Sequence, residues 1–259
     1  MTTTSPRKRF GQNFLHDREF IDNIISAISL SKDDHLVEIG PGLGALTKML
    51  LNIAARFDLI EIDRDLIPKL KEICSKEKSC FIHQCDVLEF DFKSIFIGKK
   101  MRLVGNLPYN ISTPLLFHAL EFKDYIEDMH FMLQREVAER ITASPNTRDY
   151  GRLSIMVQYH CEAEILFHVP NTAFYPIPKV ESSFIRLIPR KTYPHPVKNW
   201  KTFENIVREA FNHRRKTIQN CLKKFLSKDD FLSLNIDPIR RPEQLSIEEF
   251  VRITNFIAN

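Results

Sequence analysis

Three features of the 259-residue sequence predict an α/β fold, with a mostly parallel sheet covered on both faces and a small all-helical domain after it. Short apolar runs alternate with stretches of helical periodicity through the first half of the chain, the pattern of strands joined by crossover helices. Glycine is scarce, yet Gly40, Gly42 and Gly44 stand together directly after one such run. A scarce residue clusters where the backbone needs what only glycine allows. Beyond Pro189 the spacing becomes purely helical, and Pro189, Pro194 and Pro196 mark the change.

Taken in order, Ile21, Ile24, Ile25 and Ile28 recur on one face of a helix. Strands follow at 35–39, 57–62, 79–83, 101–105 and 128–133, with helices expected at 45–52, 65–73 and 113–120. Right-handed crossovers between such strands build a parallel sheet. Ala163, Ile165 and Phe167 then alternate, as do Phe184 and Arg186 with their neighbours. With no long helix between them, these two strands predict an antiparallel hairpin closing one edge. In the last part, Phe203, Ile206, Val207 and Ala210 form one apolar stripe, and Ile218, Cys221, Leu222 and Phe225 another. Ser246 and Glu249 form a capping box before Phe250, Ile253 and Ile257. Two domains are therefore expected, 1–189 and 190–259.

Composition narrows the class. Hydrophobic content of 43% with 27% charged residues is that of a globular protein, not a disordered or collagen-like chain. No apolar run approaches the ~18 residues that span a bilayer, so no membrane partner is expected. The first residues lack the apolar stretch of a secretory signal, which predicts a cytoplasmic protein. Five cysteines without a CxxC pair or zinc spacing predict a reduced chain with no metal. Charge is uneven. Residues 186–259 carry 15 Lys/Arg against 8 Asp/Glu, whereas residues 1–185 carry 22 against 25. The basic end, with Arg214, Arg215 and Lys216 on helical sequence, predicts an anionic partner gripped through its phosphates.

The glycine loop, Glu38-Ile39-Gly40-Pro41-Gly42-Leu43-Gly44, follows a strand and precedes a helix. Ligands of open α/β sheets bind at that end of the strands. The spacing is G-x-G-x-G, with an acid two residues ahead, and not the G-x-G-x-x-G of dinucleotide sites. Glu61 closes the second strand and can accept hydrogen bonds from both hydroxyls of a ribose, a role shared by nicotinamide and S-adenosylmethionine folds. Asp86, past the third strand, is placed to meet an adenine edge.

Gly105-Asn106-Leu107-Pro108-Tyr109-Asn110 ends the fourth strand. The exocyclic amine of adenine or cytosine is a poor nucleophile, because its lone pair is conjugated into the ring. Acceptors aimed at its N–H bonds, the Asn106 side-chain oxygen and the Leu107 carbonyl, would strengthen as it attacks a methyl sulfonium. Pro108 stiffens the turn, and Tyr109 offers a π-face to the base.

Together the motifs resemble the ribosomal RNA adenine dimethyltransferases: 9–15, 38–47, 61–63, 106–114 and 174–183 occur in family order. Residues 42–47 and 210–217 resemble the bacterial small-subunit type, whose loss gives kasugamycin resistance, more than the large-subunit macrolide-resistance enzymes. The 143–149 loop, Ala143 to Asp149, departs from the Gly/Lys-containing loop of that type.

The resemblance implies a Rossmann-like S-adenosylmethionine methyltransferase sheet. The implied cofactor is S-adenosyl-L-methionine, leaving as S-adenosylhomocysteine, with no metal. Cofactor contacts are implied for Asn13, Leu15, Gly40, Glu61, Asp86 and Asn106. It implies catalytic roles for Asn106, Leu107, Tyr109 and Phe174, with Phe174 stacking opposite Tyr109 on a flipped base. The implied reaction is dimethylation of two adjacent adenosines in the 3′-terminal hairpin of 16S rRNA, within the immature small ribosomal subunit, by an enzyme expected to be monomeric. The alternatives are an RNA-binding assembly factor whose methylation is secondary, a large-subunit rRNA adenine methyltransferase, a mitochondrial transcription-factor relative, and a nicotinamide oxidoreductase, which the glycine spacing disfavours.

Overall fold

A computed structural model describes residues 11–193, 195–213 and 215–258. Its strands are β1 (Phe14–Leu15), β2 (His35–Ile39), β3 (Arg56–Glu61), β4 (Cys80–Gln84), β5 (Met101–Asn106), β6 (Ile126–Gln134), β7 (Cys161–Val169), β8 (Phe174–Tyr175) and β9 (Ser182–Pro189). Seven of them form one sheet in the order β4-β3-β2-β5-β6-β9-β7. The first five run parallel, with His35 opposite Arg56 and Ile39 opposite Ile60, and β9 joins β6 antiparallel. Every residue of β2 is buried, as a strand covered on both faces requires. The expected edge hairpin is present as neighbouring β9 and β7.

The order reverses between β2 and β5. From β2 the chain builds outward to β3 and β4, then returns to the other side for β5 and β6. The crevice at such a reversal is where open α/β sheets take ligands. Because β2 and β5 are neighbours, the glycine loop after one and the 106–110 turn after the other are brought side by side. A second, two-stranded sheet pairs β1 with β8, Phe14 opposite Tyr175 and Leu15 opposite Phe174.

Helices are shorter than their periodicity predicts where special backbone intervenes. The helix expected at 45–52 is regular only over Thr47–Leu50, because Gly40, Gly42 and Gly44 all adopt positive φ ahead of it and Asn52 does so behind it. The helix expected at 65–73 starts at Ile67, with Pro68 in its first turn, where proline is tolerated. Helix Arg18–Ile28 buries Ile21, Ile24 and Ile28 as expected, with Asp17 as its N-cap. Cys74, at the end of helix Ile67–Ile73, and Cys80, at the start of β4, face each other with Cα atoms 6.0 Å apart. Nothing in a Cys-x5-Cys spacing shows that a helix end and a strand start will face each other. Cys85, Cys161 and Cys221 are free.

The chain divides into two compact units, 1–138 with 163–189, and 139–162 with 190–259. One boundary falls between 189 and 190, and segment 139–162 groups with the C-terminal residues and not with the sheet. Charge and periodicity could not show this, because helix Arg152–His160 contributes packing groups whose partners come later in the chain. Tyr159 meets Tyr193, Trp200 and Phe203 at ring separations of 4.7, 5.4 and 5.3 Å. The 143–149 loop is tied into the same unit by Asn146 N–H donating to the Glu243 carbonyl at 2.8 Å. Helix Trp200–Phe211 buries Phe203, Ile206, Val207 and Ala210. The Ser246/Glu249 capping box is formed in both directions, at 3.2 and 2.8 Å.

Candidate active site

One pocket gathers the ends of β2, β3, β4 and β5. Asn13, Leu15, Glu38, Gly40, Glu61, Asp86, Asn106, Leu107 and Tyr109 all line it.

Its floor is the glycine loop. Gly40 adopts φ +65°, and a Cβ there would meet nothing within 4 Å, so that position faces open pocket space. Gly42 is bare for a different reason, since a Cβ would lie 3.0 Å from the Phe14 ring. The segment 11–15 is thereby laid against the loop. The Gly42 N–H donates to Glu61 Oε2 at 3.1 Å, and Asp63 N–H donates to Oε1 at 2.8 Å. These two bonds fix the carboxylate at the end of β3 and leave further acceptor positions on each oxygen. Burial pushes the Glu61 carboxyl up, those two N–H donors oppose it, and the charge of Asp63 adds to the rise. Glu38 is 2% exposed and accepts from Thr47 Oγ1 at 2.7 Å. Burial, with the Thr47 bond opposing and the Glu61 charge adding, pushes it up to about 8.

Asp86 caps the turn after β4, its Oδ1 accepting from Leu88 N–H at 2.9 Å. Across the crevice, Asn106 Nδ2 donates to the Asn13 carbonyl at 2.8 Å. A carbonyl only accepts, so this bond fixes which end of the amide is oxygen. No described residue donates to Asn106 Oδ1. Leu107 N–H donates to the Met132 carbonyl at 3.3 Å, anchoring the turn to β6. Tyr109 is half-buried, and its hydroxyl shares a 2.8 Å hydrogen bond with Ser182 Oγ. Burial raises the phenol, with the Ser182 bond opposing, so it stays protonated at neutral pH.

Three expected residues are placed elsewhere. Phe174 is 1% exposed and sits in the hydrophobic core with Leu15, Ile24 and Phe184, not on the pocket wall. The expected sandwich around a base is therefore not formed in this structure. In the β1–β8 pair, alternation turns Phe174 inward and leaves Tyr175 outward at 65% exposure. Arg215 and Lys216 are exposed, but they lie in the turn between helix Trp200–Phe211 and helix Ile218–Cys221, not on a helix as expected. The polar run after Phe211 ends one helix, and Thr217 caps the next. Arg214 lies outside the described residues. Sequence reasoning gave Ser182 no role; its signal is a serine pair, Ser182 and Ser183, at the start of a mostly apolar strand.

The electrostatics select the ligand class. Three carboxyl groups, Glu38, Glu61 and Asp86, line the pocket, and no Lys, Arg or His among the described residues does so. A pyrophosphate would be repelled there. A ligand carrying a sulfonium and an ammonium, with ribose hydroxyls to donate to Glu61, matches the site. No group of three or more His, Cys, Asp or Glu among the described residues is arranged to hold a metal. No helix among them is long and apolar enough to cross a membrane.

Comparison with known proteins agrees with that chemistry. The sequence matches the family "Ribosomal RNA adenine dimethylase" across residues 3–259. A "Ribosomal RNA small subunit methyltransferase A" from Pseudomonas aeruginosa is 56% identical over 253 residues, 97% of this chain and 94% of the relative. Another from a Marinomonas species is 51% identical, with 97% and 95% covered. Among solved structures, a dimethyladenosine transferase from Plasmodium falciparum aligns with TM-score 0.81 at 26% identity, covering 93% of this chain and 95% of that one. The 23S rRNA methyltransferase ErmE aligns with TM-score 0.74 at 26% identity, covering 95% and 100%. The matched span takes in the glycine loop, the 106–110 turn and both compact units, and this chain is a methyltransferase of the ribosomal RNA adenine dimethylase family.

Proposed function

We propose that the protein transfers methyl groups from S-adenosyl-L-methionine to the exocyclic amines of two adjacent adenosines in the 3′-terminal hairpin of 16S rRNA, acting on the immature small ribosomal subunit. The observation that carries the reaction is the Asn106 amide, whose nitrogen is held by the Asn13 carbonyl while its oxygen has no donor among the described residues. The likeness that favours the small subunit over the large is the near-full-length identity above 50% to small-subunit enzymes, against 26% to the 23S enzyme.

The cofactor, when bound, supplies an electrophilic methyl group on a cationic sulfur. Glu61 holds the ribose end, Asp86 the adenine edge, and Gly40 lets the ligand lie against bare backbone. Asn106 Oδ1 and the Leu107 carbonyl accept the two N–H bonds of the target amine. These acceptors strengthen as positive charge grows on the nitrogen, so they act more on the transition state than on the bound base. The proton leaves after the methyl arrives, and no strong base is needed. Tyr109 stacks on the extruded adenine, a contact worth about 1–3 kcal/mol. Arg215 and Lys216 grip phosphates and position the RNA without reading its sequence.

The test is transfer of labelled methyl from S-adenosyl-L-methionine to small ribosomal subunits that lack the modification. The native chain is expected to label two adenosines, and Asn106→Ala to retain subunit binding while losing most transfer. Near-normal dimethylation by that variant would remove Asn106 from the chemistry. Charge reversal at Arg215 and Lys216 is expected to weaken subunit binding and flatten its salt dependence. An unchanged salt slope would make those residues ordinary solvated surface.

A further inference from the structure

We infer that Ser182 is a positioning residue for methyl transfer, holding the Tyr109 ring in the plane on which the target adenine stacks. The inference rests on the reading of Tyr109 as the stacking wall and goes beyond it, to a residue that touches neither cofactor nor base.

A stacking wall needs only a π-face, which phenylalanine would supply. Tyr109 instead carries a hydroxyl, and that hydroxyl is bonded at 2.8 Å to Ser182 Oγ. Ser182 is itself fully buried, fixed as the first residue of β9 and paired with Gln134 of β6. Next to it, Arg135 N–H donates to the Glu181 carbonyl at 3.0 Å, a second tie between this strand end and the end of β6. Ser183 points to the opposite face, where its hydroxyl meets His168 Nδ1 at 2.8 Å. Adjacent serines thus do different jobs, and only Ser182 faces the turn.

The bond reaches across the sheet. Tyr109 springs from the turn after β5, whereas Ser182 begins β9, and β6 lies between the two strands. Holding the ring at Cβ by the turn and at the hydroxyl by β9 fixes its long axis, and because a phenol donates and accepts in the plane of its ring, the bond to Ser182 Oγ also favours one rotation about that axis. The acceptors for the amine, Asn106 Oδ1 and the Leu107 carbonyl, stand at the end of β5. A base whose plane is set by Tyr109 therefore meets them at a fixed angle. Because the expected second wall, Phe174, lies in the core, Tyr109 sets that plane alone in this structure. Misalignment costs rate more than affinity, since phosphate contacts supply most of the docking. The second transfer is the more sensitive one, because the once-methylated amine keeps a single N–H to be aligned.

The experiment compares Ser182→Ala, Tyr109→Phe and the double variant, using the full chain and small ribosomal subunits that lack the modification. Each single variant removes the same hydrogen bond from one side. Each is expected to lower kcat about fivefold, the scale of one neutral hydrogen bond, with KM for the subunit and cofactor affinity unchanged. Monomethyladenosine is expected to accumulate, and the double variant to be no worse than either single one. A Ser182→Ala enzyme within twofold of native with only dimethyl product, or losses that multiply in the double variant, would overturn the assignment. Should Ser182→Ala lower the melting temperature and lose all activity, Tyr109→Phe decides, since it leaves β9 intact. A native chain that labels no adenine would instead overturn the underlying reading of the site, a result separable from any difference among variants.

Discussion

The two ends of the central sheet treat acidic side chains in opposite ways. Toward the amino ends of the strands, every buried acid is paired. Arg102 bonds Asp34 at 3.0 Å and Asp128 at 2.7 Å, and also caps the carbonyls of Ile28 and Ser29. Asp58 accepts from Arg56 and stands 2.7 and 2.6 Å from His35 and His83. Burial pushes these acids up, but the pairing outweighs it. Bonds from Ser31, Arg102 and Lys99 hold Asp34 down at about 2, and His35, His83 and Arg56 hold Asp58 well below the carboxylate range. At the carboxyl ends, Glu38 and Glu61 are just as buried, but neither is salt-bridged to a cation, and both are pushed up. The first arrangement secures the fold; the second leaves carboxyls without a cationic partner among the described residues, which a cationic ligand would help to ionise.

Removing a cation from the paired end should have the largest effect. Arg102→Ala takes the bidentate partner from Asp128 and one of two cations from Asp34, and is expected to lower unfolding free energy by about 3 kcal/mol in urea titration. Cofactor affinity of the folded fraction should be unchanged. A loss below ~1 kcal/mol would show that this end is not what secures the sheet.

At the ligand end the pattern should invert. Glu61→Ala is expected to weaken S-adenosyl-L-methionine binding by about 1.5–3 kcal/mol, the worth of hydrogen bonds to a charged group. Its effect on unfolding should be smaller than that of Arg102→Ala. Calorimetry showing native affinity in a folded variant would take Glu61 out of the ribose site.

The pH profile offers a further test, and its sign separates the two ends. Glu38 has its folded value raised from 4.5 to about 8. Its contribution is therefore full below 4.5 and is lost as pH rises through 8. Asp34 has its folded value lowered from 3.8 to about 2, so its contribution is present above 3.8 and lost as pH falls through 2. Between pH 5 and 8 the native melting temperature should decline relative to Glu38→Gln, in which that position no longer titrates. Parallel curves for the two proteins would mean that Glu38 ionises without cost, and the contrast between the ends would fail.

The sequence makes the ligand end more legible than the paired end. Gly40, Glu61, Asp86 and Asn106 each stand at or just past the end of a strand, and strand periodicity with glycine clustering is a local signal. Arg102 and Asp128 are partners only because β5 and β6 are neighbours, which no local pattern states. Burial of Phe174 was hidden for a related reason. Its inward side is set by pairing with Leu15, far back in the chain, and the neighbouring prolines say nothing about which face of β8 turns to the core. Ser182 and the Cys74–Cys80 approach were equally silent, since each depends on which element end lies opposite another. The capping box at Ser246 needs only residues three apart, and it formed as read.

The pairing of β1 with β8 also sets an order of events during synthesis. Residues 11–15 emerge early, yet the strand that holds them, Phe174–Tyr175, is made far later. At the ~5–20 residues per second of translation, roughly 10–30 s separate the two. Until then the segment carrying the Asn13 carbonyl that orients Asn106 lacks its strand partner. A nascent chain therefore cannot display a finished cofactor wall before its catalytic unit is nearly complete, and cofactor capture on the translating ribosome would report that moment.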